Sequence, residues 1–100
     1  MESKEYITIQ TICRHHSVSD AFVLSLGDYD LIEIQKVNEV HCVPQRQLSL
    51  LEKFVRLHHD LQINPEGITA IHHLTGRIES LQEEISFLRQ RLKVYESEEK

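Results

Sequence analysis

The chain has little of what small chemical sites are built from. Only two cysteines, two prolines and three glycines occur in 100 residues. Cys13 and Cys42 cannot make a disulfide framework, neither C-x-x-C nor H-E-x-x-H is present, and no glycine-rich loop is available to cradle a phosphate. Long apolar runs are missing too. Nothing at the N-terminus resembles a signal peptide and no segment reads as a spanning helix, so a cytoplasmic chain without membrane contact is expected. Positive charge is scarce, at 11 Lys and Arg against 16 Asp and Glu, for a formal net charge of −5. The stretch from Ser17 through Glu33 holds Asp20, Asp28, Asp30 and Glu33 and not one Lys or Arg. A polyanion is a poor partner for such a surface.

Histidine is plentiful, at seven residues, six of them in the pairs His15-His16, His58-His59 and His72-His73. Adjacent residues on a helix point about 100° apart, so a pair cannot jointly grip one ion as an i, i+4 pair can. Each pair is expected to place one ring at the edge of the core and one in water. No metal and no cofactor are expected, and no nucleophile pair can be assembled from spacing alone. The chain does not read as an enzyme. Cys13 falls in an apolar helical pattern and Cys42 in an alternating one, which suits small core residues better than reactive thiols.

What is present is a strict heptad. Ile71, Leu74, Ile78, Leu81, Ile85, Leu88, Leu92 and Tyr95 recur at alternating steps of three and four, the a and d positions of a coiled-coil seam. Flanking Glu84 with Arg89 and Arg91 with Glu96 would pair attractively between parallel strands, tuning partner choice more than stability. Such a helix runs roughly 36 Å, longer than one small globule built from the remaining residues would cover. A second copy of the chain is the expected cover, making a homodimer.

Ahead of that seam the chain reads as two short helices, a wing and a third helix. Thr8 is a plausible N-cap for a helix to about His16, Ser17 to Ser19 interrupt it, and a second helix carries Ala21, Phe22, Leu24 and Leu26 to Gly27 or Tyr29. From Leu31 to Val43 the alternation reads as a hairpin with its turn near Asn38. Pro44 fits the first position of a third helix, with Leu48, Leu51, Phe54, Val55, His58 and Leu61 facing the core. Asn64 caps the long helix, Pro65 opens it, and Gly67 and Gly76 suggest close packing near its first turns. The expected fold is mainly α. It is a winged helix-turn-helix over residues 1–63, a long coiled-coil helix over 64–96 and a frayed tail over 97–100.

The stretch RLHHDLQINPEGI, Arg56 to Ile68, followed by the heptad helix through FLRQRL, Phe87 to Leu92, resembles the chaperone modulator CbpM family, itself related to the winged-helix domain of MerR-type regulators. Two departures stand out: Asp30, Leu31, Ile32 replace the customary Gly-Leu-Ile turn, and His41 and Val43 replace an aromatic pair on the wing. The resemblance implies an adaptor that binds and inhibits the J-domain of a DnaJ- or CbpA-type co-chaperone. J-domains present a basic second helix to Hsp70, and an acidic surface suits it. The expected partner surface is Asp20, Phe22, Asp28, Tyr29, Asp30 and Glu33. The alternative is a MerR-like DNA-binding regulator, for which the second helix lacks the cations that reach phosphates and base edges.

Overall fold

The computed structural model describes residues 5–98. Strand β1 (Tyr6–Thr8) leads straight into α1 (Ile9–His16), and the Thr8 side chain accepts the Thr11 N–H at 3.2 Å, capping the helix. Ser17 closes it in the left-handed region at φ 56°. Ser19 then caps α2 (Asp20–Asp28), accepting the Phe22 N–H at 3.1 Å. The two serines thus make the turn of the helix-turn-helix. The wing pairs β2 (Gln35–Val37) with β3 (Val40–Pro44), and Asn38 and Glu39 between them both take positive φ, 53° and 67°, as a two-residue hairpin turn requires.

Strand β1 carries no sequence signal, because three residues are too few to establish a period of two. It pairs antiparallel with β3 across Thr8↔Cys42, Ile7↔Val43 and Tyr6↔Pro44, giving a three-stranded sheet in the order β1-β3-β2. That pairing corrects the expectation for Pro44. It ends a strand in extended conformation at φ −62°, ψ 140°, and a 3-10 turn (Gln45–Gln47) intervenes before α3 (Leu48–Leu61). The expected strand from Leu31 is also shorter than it looked. Leu31 and Ile32 are both buried, which an alternating strand forbids, and Leu31 belongs to the cap that ends α2.

Ile12, Val23, Leu26, Val43, Leu51, Phe54 and Ile68 are almost wholly buried and form the heart of the core. Leu61 does not join them; at the last position of α3 it remains 63% exposed. Helix α4 (Pro65–Glu98) begins as expected, with the Gly67 N–H donating to Asn64 Oδ1 at 2.8 Å. A Cβ at Gly67 would lie 2.7 Å from Ile63 Cγ2, so this glycine does permit a close approach, whereas Gly76 has nothing within 4 Å of its would-be Cβ. The helix continues through Glu98, so the first two residues of the expected tail are helical; residues 99 and 100 lie outside the described residues.

Two compact units divide the chain, the first ending at Thr69 and the second starting at Ala70. Burial of Ile68 makes the first turn of α4 part of the first unit. In the second unit Leu74, Ile78, Leu81, Ile85, Leu88, Leu92 and Tyr95 are all 49–61% exposed in the single chain, and Ile71 is half-buried.

Candidate functional site

The end of α2 decides how the acidic stretch is presented. The Asp30 N–H donates to the Gly27 carbonyl at 3.0 Å and the Leu31 N–H to the Leu26 carbonyl at 2.9 Å. This is the paired bonding of a Schellman cap, in which the residue after the cap takes a left-handed conformation, here Asp30 at φ 61°. Leu26 and Leu31 are both buried, supplying the apolar side of the motif. The position ordinarily suits glycine, and aspartate is among the few other residues that tolerate it. Asp30→Gly is accordingly expected to stabilise the domain by up to about 1 kcal/mol in a denaturant melt, while removing a carboxylate from the surface described next.

A cleft of about 700 Å³ opens between the C-terminal half of α2 and the wing. Asp28, Asp30 and Glu33 are its acidic lining residues, Leu24 and Ile34 are among its aliphatic ones, and Gln35, His41 and Gln47 are its other polar ones. Gly27 sits in its wall because a Cβ there would fall 2.5 Å from Ile34 Cδ1. Glu33 is held twice: its backbone N–H donates to Gln47 Oε1 at 2.6 Å, and its two carboxylate oxygens each accept from Arg46 Nη2 at 2.9 Å. Arg46 and Gln47 give no sign in the sequence of belonging here, because they follow the wing.

The six residues expected to form one partner surface separate into four places. Asp28, Asp30 and Glu33 meet at the cleft. Asp20 lies at the other end of α2, about 12 Å along the axis from Asp28. There it acts on Cys13, whose thiol is pushed up to about 11 by burial, then by the hydrogen bond and charge of Asp20. That thiol is inert at neutral pH. Phe22 is the clear correction: it is only 6% exposed and its ring stacks on His58 at 4.2 Å, so it belongs to the core and offers nothing to a partner.

Tyr29 is 40% exposed, and its hydroxyl donates to Glu66 Oε2 at 2.8 Å, linking the turn after α2 to the first turn of α4. The bond lowers the Glu66 carboxyl below its ordinary value and raises the Tyr29 phenol above its own. A lowered folded-state carboxyl contributes stability above its unfolded value and loses it as pH falls through the folded one. A raised phenol contributes below its unfolded value and loses it as pH rises. The link is therefore complete at neutral pH. Glu66, 37 residues away, is a neighbour the sequence does not announce.

In each histidine pair one residue is half-buried and the other exposed. His58 Nδ1 lies 3.0 Å from the Ile63 carbonyl while its ring stacks on Phe22, and His59 Nε2 lies 3.1 Å from the His16 carbonyl. These two histidines tie α3 to α2, to α1 and to the turn before α4. Among the described residues no group of three or more His, Cys, Asp or Glu is placed to hold a metal ion.

The family described as MerR HTH family regulatory protein matches residues 7–90. A Chaperone modulatory protein CbpM from Pseudomonas entomophila (strain L48) is 26% identical over 87 residues, covering 86% of this chain and 86% of that protein. The resemblance carried by Arg56 to Ile68 and the heptad helix thus recurs over most of the chain. No solved structure matches.

Proposed function

The chain belongs to the MerR HTH family of regulatory proteins, and from that premise we propose that it is a non-catalytic adaptor. It docks the basic second helix of a J-domain, in a co-chaperone of DnaJ or CbpA type, against the α2–wing cleft and so restrains that co-chaperone's work with Hsp70. The observation that carries this reading is the convergence of Asp28, Asp30 and Glu33 on one cleft beside a helix without a single Lys or Arg. Similarity to a chaperone modulatory protein supports it. The proposed compartment is the cytoplasm; among the described residues no helix is long and apolar enough to cross a membrane.

Exposed charges act mainly on association rate, so stopped-flow mixing with a purified J-domain is the appropriate test. Asp28→Lys with Asp30→Lys should slow association at least about 10-fold. Glu79→Lys with Glu83→Lys, an equal change in net charge on α4, should slow it far less. Equal losses would mean that net charge alone matters and that the cleft is not the site.

DNA binding is the second reading, since the helix-turn-helix is shared with regulators that use it so. In such proteins the second helix brings cations to phosphates and base edges. Here its exposed residues include Asp20, Ala21, Leu24 and Asp28, and Arg46 on the wing side is already paired with Glu33. Fluorescence anisotropy against a pool of duplexes in moderate salt should show no tight complex. One reproducible specific site would overturn the adaptor reading.

A second copy of the chain covers the α4 seam in this reading. The seven a and d side chains from Leu74 to Tyr95 that stand exposed would each contribute roughly 1.5–3 kcal/mol if fully buried, before ordering costs. Glu84 with Arg89 and Arg91 with Glu96 edge the seam.

A further inference from the structure

We propose that Arg46 is an internal counter-ion of the docking cleft, an autoinhibitory contact that occupies Glu33 until a basic side chain of the partner replaces it. The inference rests on the docking reading above. Three acidic residues line the cleft, and Arg46 pairs with the carboxylate of one of them, Glu33, at 2.9 Å. Its placement does not depend on that ion pair alone. Arg46 is the middle residue of the 3-10 turn, and the neighbouring Gln47 accepts the Glu33 N–H at 2.6 Å and also lines the cleft. The turn is therefore pinned along the Glu33 segment, keeping the guanidinium beside the Glu33 carboxylate.

The contact is built to be replaced. The two side chains are 65% and 47% exposed, and ion pairs in water contribute little to stability. Its geometry also falls short of the strongest arrangement. Both Glu33 oxygens accept from the same nitrogen, Nη2, whereas an incoming arginine free to orient could present two nitrogens in parallel, the stronger fork. An exchange of cations at Glu33 thus gains on the incoming side and costs little on the outgoing one. Until exchange occurs, Arg46 reduces the field that draws a basic helix toward Asp28 and Asp30. The device slows encounter and favours partners whose arginine can take over Glu33.

Arg46→Gln removes the counter-ion, and Lys53→Gln, on the exposed face of α3, makes the same change in net charge elsewhere. With a purified DnaJ-type J-domain at low salt, Arg46→Gln should associate about 3- to 10-fold faster than wild type, and Lys53→Gln should stay near wild type. Adding Glu33→Gln to Arg46→Gln should abolish the gain. Unchanged melting curves would place the effect in binding rather than folding. If wild type binds and Arg46→Gln is no faster than Lys53→Gln, the counter-ion role falls and the docking reading stands. If no variant binds the J-domain, both fall.

Discussion

Replacing Ile78 and Leu81 together with aspartate is expected to convert a dimer into a monomer at micromolar concentration. Both residues lie on the heptad seam and are 54% and 50% exposed in the single chain, so a second copy has apolar surface to bury there. Aspartate would lose that burial at two positions in each strand and place like-charged carboxylates from both strands in the seam, where desolvating them costs more than any pairing at its edge returns. Sedimentation velocity reads the outcome directly. The first unit should survive, because its core contains no residue from the seam. Phe87→Asp with Val94→Asp is the matched control. These residues are equally exposed, at 58% each, but occupy outer positions of the heptad that a two-stranded seam leaves in water. The control should remain dimeric. A wild-type chain already monomeric at that concentration would remove the second copy from the account.

Phe22→Ala is expected to act on stability and not on affinity. The ring is buried and stacked on His58 at an interplanar angle of 23°, in a core that also holds Val23 and Leu26 from the same helix. Removing a buried phenylalanine costs about 3–5 kcal/mol, a large part of the stability of a domain this size. The melting temperature should fall by more than about 10 °C. Below the new transition, binding to the J-domain per folded molecule should match wild type. A variant that keeps its melting temperature but loses binding would return Phe22 to the partner surface.

These two variants fall on opposite sides of what the sequence makes legible. The seam could be read because its eight positions repeat with one period and need no knowledge of the rest of the chain. Phe22 could not be placed, because its helix is nearly as apolar on one side as the other. Leu24, two residues on, is 36% exposed while Phe22 is 6%, and the packing of Phe22 into the core and against His58 distinguishes them. Asp30 shows a third case. A departure from the customary glycine is visible in the sequence, but its consequence depends on the positive φ that the Leu26 and Gly27 carbonyls impose.

What the sequence determined by itself is local. The caps at Thr8, Ser19 and Asn64 each bond a backbone N–H three residues ahead, so the residue types that make them stand together in the chain. The helix-turn-helix, the hairpin turn at Asn38 and the heptad helix follow from signals of that range. Tertiary structure decided everything that joins distant residues: the pairing of Thr8 with Cys42 that makes Pro44 a strand end, the Tyr29–Glu66 bond, and the Glu33–Arg46 pair. A run of aspartates states the sign of a surface, but a carboxylate's surroundings are set by whichever element packs beside it. Here the packing separates Asp20 from Asp28 and gathers Asp28, Asp30 and Glu33 around one cleft.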